Sequence, residues 1–450
     1  MERLDLPSLT AILGDLVVSL PPLPVDVHAT GLATHTDRLR PGDAFVALPG
    51  ARAHGIDHAA AAEAAGAAFL ISDRPHPRAV LVRDAHAALQ RLGRHARAAR
   101  RGPVVGITGS VGKTTTKTLL GAALEAVTSP GNLNTPAALA CVLVDAWLHH
   151  DAERPLVIEL GIDRDGEMVE LLDLVSPSHG VVTAIAEAHL AGIGSLADVA
   201  REKGRLLDAA PEGRYVGESA WPQLRPSQRE RALRVALGDG VPGGRLGADA
   251  RRLEAVLRHA DGTAERVALD LPGPGVPYAQ AALLALQVAL DLGVDAPLAA
   301  ARIAAARPEP HRLTLHTLGT LTLVDDAYNA NPASMRAALA LLATLPRPHA
   351  AVLGDMRELG ERSESAHVEL ADSVSEAGLD TVWYVGPESR VAYEATSVMQ
   401  RRHLPDAASA VAEQHALPTH GSLLVKGSRS IGLEHLVAAL LARHALEAPA

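Results

Sequence analysis

The sequence predicts an α/β protein of three domains, and three observations carry that prediction. A chain of 450 residues is longer than one hydrophobic core organises. Short apolar runs alternate with helical stretches along most of it, the pattern of parallel sheets covered on both faces. The stretch "GPVVGITGSVGKTTTKTLL" (102–120) joins an apolar strand to a glycine turn and a helix start, which is the setting of a phosphate-binding loop.

The first segment (1–83) has a short strand from Phe45 to Leu48, a helical stretch, a strand from Ala68 to Ser72, and a closing strand in "RAVLVRD" (78–84). The second (84–309) opens with an arginine-rich helix over 85–101. It continues with the loop already quoted, strand "PLVIELGI" (155–162), helix "GEMVELLDLV" (166–175), strand "HGVVTAI" (179–185) and helix "SLADVAREKGRLLDAA" (195–210). Residues 212–275 are rich in Pro, Gly and Arg and take no assignment; "YAQAALLALQVALDLG" (278–293) is a helix. The third segment (310–450) repeats the alternation, with strands in "HAAVLGD" (349–355), "TVWYVG" (381–386) and "SLLVKGS" (422–428), and predicts a second doubly wound unit.

Composition excludes several function classes. Aromatics are 2% of the chain and the net charge is −10, which argues against nucleic acid and anionic membranes as partners. One cysteine, Cys141, excludes a disulfide framework and suits a reducing compartment. No signal peptide and no apolar run of about 18 residues is expected, so the chain is expected in the cytoplasm; no interaction helix stands out, and a monomer is expected.

Of 42 lysines and arginines only four are lysine: Lys113, Lys117, Lys203 and Lys426. The four asparagines are Asn132, Asn134, Asn329 and Asn331. Where any cation serves, this chain uses Arg, so lysine marks places that need a compact ammonium or its neutral amine.

The general phosphate-loop pattern would put a glycine at Ile107; here the glycines are Gly106, Gly109 and Gly112. Even so, Gly109, Ser110, Val111, Gly112, Lys113, Thr114 and Thr115 suit an ATP site, with Lys113 at the β and γ phosphates and Thr114 on Mg²⁺. Glu159 ends a buried strand at the edge where such sheets bind ligands, and His189 follows the next strand in the same way. Both are candidate metal ligands. Lys203 persists between Arg201 and Arg205; it is either a surface lysine or an amine converted by CO₂ to a carbamate that ligates Mg²⁺. "GNLNTP" (131–136) by itself is a turn. "VDDAYNANPASM" (324–335) suits contacts to a base or ribose, and "VKGSRS" (425–430), with Lys426 and Arg429, suits an anionic substrate group.

Together these stretches resemble the Mur ligase family of ATP-dependent amide-bond-forming enzymes, whose loop is spelled G-x-T-G-[ST]-x-G-K-T-T. "GNLN", "EAHL", "DDAYNANPASM", "VLGDMRELG" and "VKGSRS" follow in the family's order from about Pro41 onward. The last three are similar to the branch that couples D-alanyl-D-alanine to UDP-N-acetylmuramoyl-tripeptide through an acyl phosphate. The resemblance implies a domain for the uridine nucleotide, a central ATPase and a C-terminal Rossmann-like domain. It implies that Glu159, His189 and carbamylated Lys203 organise two Mg²⁺. Arg312, Asp326 and Asn329 would reach ATP. Asn132, Asn134, Lys426, Ser428 and Arg429 would lie near substrate.

Three departures stand out. His35-Thr36-Asp37 replaces the family's D-[ST]-R, with Arg38 placed to compensate. "GVPYAQA" (275–281) lacks the family's histidine and asparagines, and Thr135 shortens G-N-x-N-N. Two rival expectations are a relative that adds a single amino acid and a P-loop NTPase whose output is hydrolysis.

Overall fold

A computed structural model describes residues 3–24, 26–131 and 133–447. It contains three main sheets. The N-terminal one has five strands in the order Val17–Ser19, Ala79–Val82, Leu70–Ser72, Ala44–Ala47 and Leu32–Ala33, parallel except for the first. Helix Ala85–Ala98 then lies against helix Pro136–His149 of the next unit. Gly93 permits this approach: a Cβ there would sit 2.8 Å from Leu174 Cδ1 and 3.0 Å from Ala140. Leu89 and Leu92 from this helix join Leu139 and Leu143 in one continuous core.

The central sheet has six parallel strands. The three that carry the site are β1 (Val104–Thr108), β2 (Leu156–Glu159) and β3 (His179–Val182); β1 lies between the other two. All three are buried along their length, as apolar strands covered on both faces must be. Helix α1 (Lys113–Leu124) leaves the carboxyl end of β1, and helix α2 (Leu196–Ala209) packs beneath β3.

Residues 212–275 resolve the gap left by sequence. Two strands, Gly213–Gly217 and Leu233–Val235, extend the central sheet. Strands Gly243–Leu246, Arg252–Arg258 and Ala264–Asp270 form a separate antiparallel sheet on helices Gly275–Asp291 and Ala296–Ala304. Leu253, Ala255 and Leu257 point inward while Arg252, Glu254 and Arg258 are exposed, the alternation of a half-buried strand.

The C-terminal sheet also has six strands. Its centre is β4 (Thr320–Asp326), β5 (His349–Gly354) and β6 (His420–Lys426), with β6 paired in parallel to both others. An antiparallel strand, Thr314–Leu318, turns into β4 and edges the sheet. No helix of the described residues is long and apolar enough to cross a membrane.

Candidate active site

The carboxyl ends of β1–β3 and of β4–β6 face one cleft of about 280 Å³. One wall is the glycine loop. Gly109 has φ +154° and Gly112 φ +84°, a backbone region that favours glycine. A Cβ on Gly109 would lie 2.0 Å from Thr183 Oγ1. The loop is pinned to the chain after β3: Ser110 N donates to Ala184 O (2.8 Å), Ser110 Oγ to Ala186 O (2.8 Å) and Thr183 Oγ1 to Val111 O (2.6 Å). Lys113 Nζ donates to Gly109 O (2.7 Å), folded over an anion-sized cradle of backbone N–H groups. Burial lowers the Lys113 pKa, with Glu159 opposing the shift. Val111 and Thr115 also line the cleft.

Thr114 Oγ1 donates to Glu159 Oε2 (2.8 Å); both groups are buried. A hydroxyl and a carboxylate oxygen side by side suit a hard divalent cation. On the same rim His189 Nδ1 lies 3.0 Å from Asp163 Oδ1 and 2.7 Å from Glu358 Oε2. The ligand atoms of these three residues lie within 4.8 Å of one another, a second place a cation fits. His189 and Glu358 have φ +57° and +67°, and backbone strain of this kind clusters at functional sites. The His189 imidazole beside it depresses the Glu358 pKa.

Lys203, on α2, is fully buried and its Nζ has no hydrogen-bond partner. Burial pushes its pKa well below the usual lysine value, and nearby Lys113 pushes the same way. The structure therefore excludes the surface-lysine alternative: this is a buried, unpartnered amine whose charged form burial disfavours. The adjacent Glu202 is also fully buried. Its carboxylate accepts from Gly166 N (3.1 Å) and Arg205 Nε (2.7 Å), tying α2 to the loop that carries Asp163.

The opposite wall comes from the C-terminal sheet. Lys426 Nζ donates to Asp326 Oδ2 (2.6 Å) and Asn329 O (2.9 Å). Asp326 Oδ1 also accepts from Leu313 N (3.1 Å). Burial raises the Asp326 pKa against the pull of Lys426. The Arg312 guanidinium lies 3.9 Å from the Tyr328 ring centre, a flat platform beside the loop. Asn331 Nδ2 reaches across to Ser110 O (3.4 Å), so the two walls touch.

Some predicted residues stand apart. Ser428 accepts from Arg357 N (2.9 Å) and Arg429 pairs with Glu434 (3.0 Å); neither lines the cleft. Arg38 lines a second cavity of about 1590 Å³ with His35, Thr36 and Asp37. Asn134 and Asp163 line both cavities. Asn132 lies outside the described residues. Sequence reasoning assigned no role to Lys117, Asp163, Tyr328, Arg357 or Glu358. The rarity of lysine flagged Lys117, and "VLGDMRELG" contained Arg357 and Glu358; nothing in the sequence marked Asp163.

Residues 107–224 match the Mur ligase middle domain and residues 311–429 the Mur ligase glutamate ligase domain. UDP-N-acetylmuramoyl-tripeptide–D-alanyl-D-alanine ligase of Escherichia coli is 32% identical to this chain, over 92% of this chain and 94% of the relative. The enzyme of the same name from Mycobacterium tuberculosis is 34% identical, over 82% and 80%. A crystal structure of MurF from Acinetobacter baumannii superposes with a TM-score of 0.83 at 27% identity, over 98% and 99%. The two domain matches cover the two walls of the cleft, and the relatives extend the likeness along nearly the whole length: this chain belongs to the Mur ligase family.

Proposed function

We propose that this protein is an ATP-dependent amide ligase that joins D-alanyl-D-alanine to UDP-N-acetylmuramoyl-tripeptide, yielding the cytoplasmic pentapeptide precursor of peptidoglycan. One observation carries the reading beyond the likeness to relatives. The phosphate loop and the Thr114–Glu159 pair on one wall face Arg312, Asp326 and Lys426 on the other, while the larger cavity opens onto the same point through Asn134 and Asp163.

In the first step the terminal carboxylate of the tripeptide attacks the γ-phosphorus of ATP. The bond to the β–γ bridging oxygen breaks, giving an acyl phosphate and ADP. In the second, the amine of the dipeptide attacks the acyl carbon, phosphate leaves with the bonding electrons, and the amine loses a proton. Both steps bring anions together, so catalysis consists largely of positioning and charge compensation. Lys113 and the loop amides hold the phosphates, and Arg312 with Tyr328, Asp326 and Asn329 holds the nucleoside end. Asn134 and Arg38 lie along the path of the UDP-linked substrate, and the loop carrying Lys426, Ser428 and Arg429 backs the acceptor side.

Thr114 and Glu159 would hold one Mg²⁺; His189, with Asp163 and Glu358, would hold a second, beside a carbamate on Lys203. These ions supply positive charge at the phosphoryl oxygens. The carbamate forms when the neutral Lys203 amine adds to CO₂ and releases a proton. We take the N-terminal domain to end near residue 83 and the hinge to lie near residue 309. A single chain supplies both walls, so a monomer suffices.

Phosphate release from ATP and Mg²⁺ tests the reading. Release should require both UDP-N-acetylmuramoyl-tripeptide and D-alanyl-D-alanine, with a pentapeptide product by mass. Release without an acceptor would instead identify an NTPase, and release with a single amino acid would identify another branch of the family.

A further inference from the structure

Three of the four lysines have places in the proposed reaction. The fourth, Lys117, does not, yet it is buried like Lys203 and Lys426: its side chain is 2% exposed, one helical turn beyond Lys113 on α1. A buried ammonium is stable only with partners, and Lys117 has two of different kinds. Its Nζ donates to Gly131 O at 2.5 Å and lies 3.7 Å from Glu159 Oε2. That same Glu159 oxygen accepts from Thr114.

Gly131 itself lines the larger cavity, with Thr128, Pro130, Leu133 and Asn134 near it in the chain. Asn134 then reaches the smaller cleft, packed so closely on Gly161 that a Cβ there would lie 2.2 Å from Asn134 Nδ2. At its start this stretch is tied back to Glu159: Ser129 Oγ accepts from Glu159 N (3.3 Å). One ammonium thus joins the nucleotide-loop helix, the carboxylate beside Thr114 and the wall of the neighbouring cavity. Arginine, the cation this chain otherwise uses, is too large and planar to replace a point charge held between a carbonyl and a carboxylate.

We propose that Lys117 is a positioning residue that couples the two cavities, so that Mg²⁺–nucleotide in one strengthens binding of the UDP-linked substrate in the other. The inference rests on the ligase reading and adds a residue to it. Glu159 exchanges part of its ammonium pairing for the cation, Lys117 is left more firmly on Gly131 O, and the wall carrying Asn134 is fixed.

The test is calorimetric titration of the full chain with Mg²⁺ and a non-hydrolysable ATP analogue, with and without UDP-N-acetylmuramoyl-tripeptide. In the wild type each ligand should tighten the other by a factor within the usual coupling range of about 5–150. Lys117→Met should bring that factor close to one while each ligand alone binds within about threefold of wild type. Lys117→Arg should give an intermediate factor. Turnover should show the same split, with KM for the UDP-linked substrate raised far more at saturating than at trace Mg²⁺–ATP. Equal coupling in wild type and Lys117→Met, or none in the wild type, overturns the inference while turnover of both substrates keeps the ligase reading. A wild-type protein that binds no UDP-linked substrate overturns both. If Lys117→Met does not fold, hydrogen exchange in the wild type decides: Mg²⁺–nucleotide alone should slow exchange across 128–135, and unchanged exchange there overturns the coupling.

Discussion

At the scale of single residues, the proposed chemistry rests on charged groups that burial perturbs. Lys203 is the sharpest case, an amine with neither solvent nor partner. Arginine stays protonated in any protein environment, so Lys203→Arg should lose activity by about 10–100-fold, as loss of a metal-positioning group does. Lys203→Ala should be equally inactive but partly restored by millimolar formate or acetate, which supply the missing carboxylate. Wild-type rates from Lys203→Arg would overturn the proposal of a carbamate there. Glu159 and Lys113 were legible because each sits at a fixed offset from a strand end. Asp163 and Glu358 were not, because each matters only through the other loops that His189 meets.

At the scale of elements, two short features hold the reactive groups in place. The first is the loop turn. Gly109→Ala would force a methyl group into Thr183 Oγ1 at a backbone angle L-residues avoid. Overpacking and strain of about 1–3 kcal/mol each should weaken nucleotide binding at least tenfold, measured by titration, with a lower melting temperature. The second is the start of α2, where Ser195 and Asp198 cap each other: Ser195 N and Oγ donate to Asp198 Oδ2 at 2.9 and 2.7 Å. These bonds, with Arg201 adding, hold the Asp198 carboxyl at about 2 against an ordinary 3.8. A depressed folded value means the cap contributes above the ordinary pKa and is lost as pH falls from about 3.8 toward 2. Denaturant melts between pH 5 and pH 2 should therefore show a fall in stability that is smaller in Asp198→Asn. Equal falls would show that the cap contributes nothing.

At the scale of the whole molecule, the proposed catalysis depends on the carboxyl ends of the central and C-terminal sheets meeting across one cleft. The seam is polar. Arg362 holds Glu187 by two bonds at 3.2 and 3.1 Å, Glu358 O accepts from Ala191 N at 3.3 Å, and Asn331 reaches Ser110. Half-exposed ion pairs contribute about 0–1 kcal/mol to stability, which suits a contact able to open and close. Arg362→Ala should leave the melting temperature within about 2 °C, enlarge the radius of gyration in X-ray scattering and lower kcat several-fold. Wild-type protein in high salt should shift the same way. An unchanged radius and rate would place closure elsewhere.

Local pattern alone determined a good deal of this protein. Strand–turn–helix spacing gave the phosphate loop, the apolar runs gave parallel sheets, and the scarcity of lysine pointed to four positions that all prove buried or half-buried around one cleft. These properties are encoded in neighbouring residues, so they survive without a fold. The antiparallel sheet over 243–270 was hidden because its strands are half-exposed, and the Gly and Pro around them read as loop. Tertiary structure alone decided that Glu358 meets His189, that Lys117 bridges Gly131 and Glu159, and that Asn134 stands between two cavities. Each of these contacts joins segments that are not neighbours in the chain, and only the folding of the strands, helices and loops around the two cavities sets their distance.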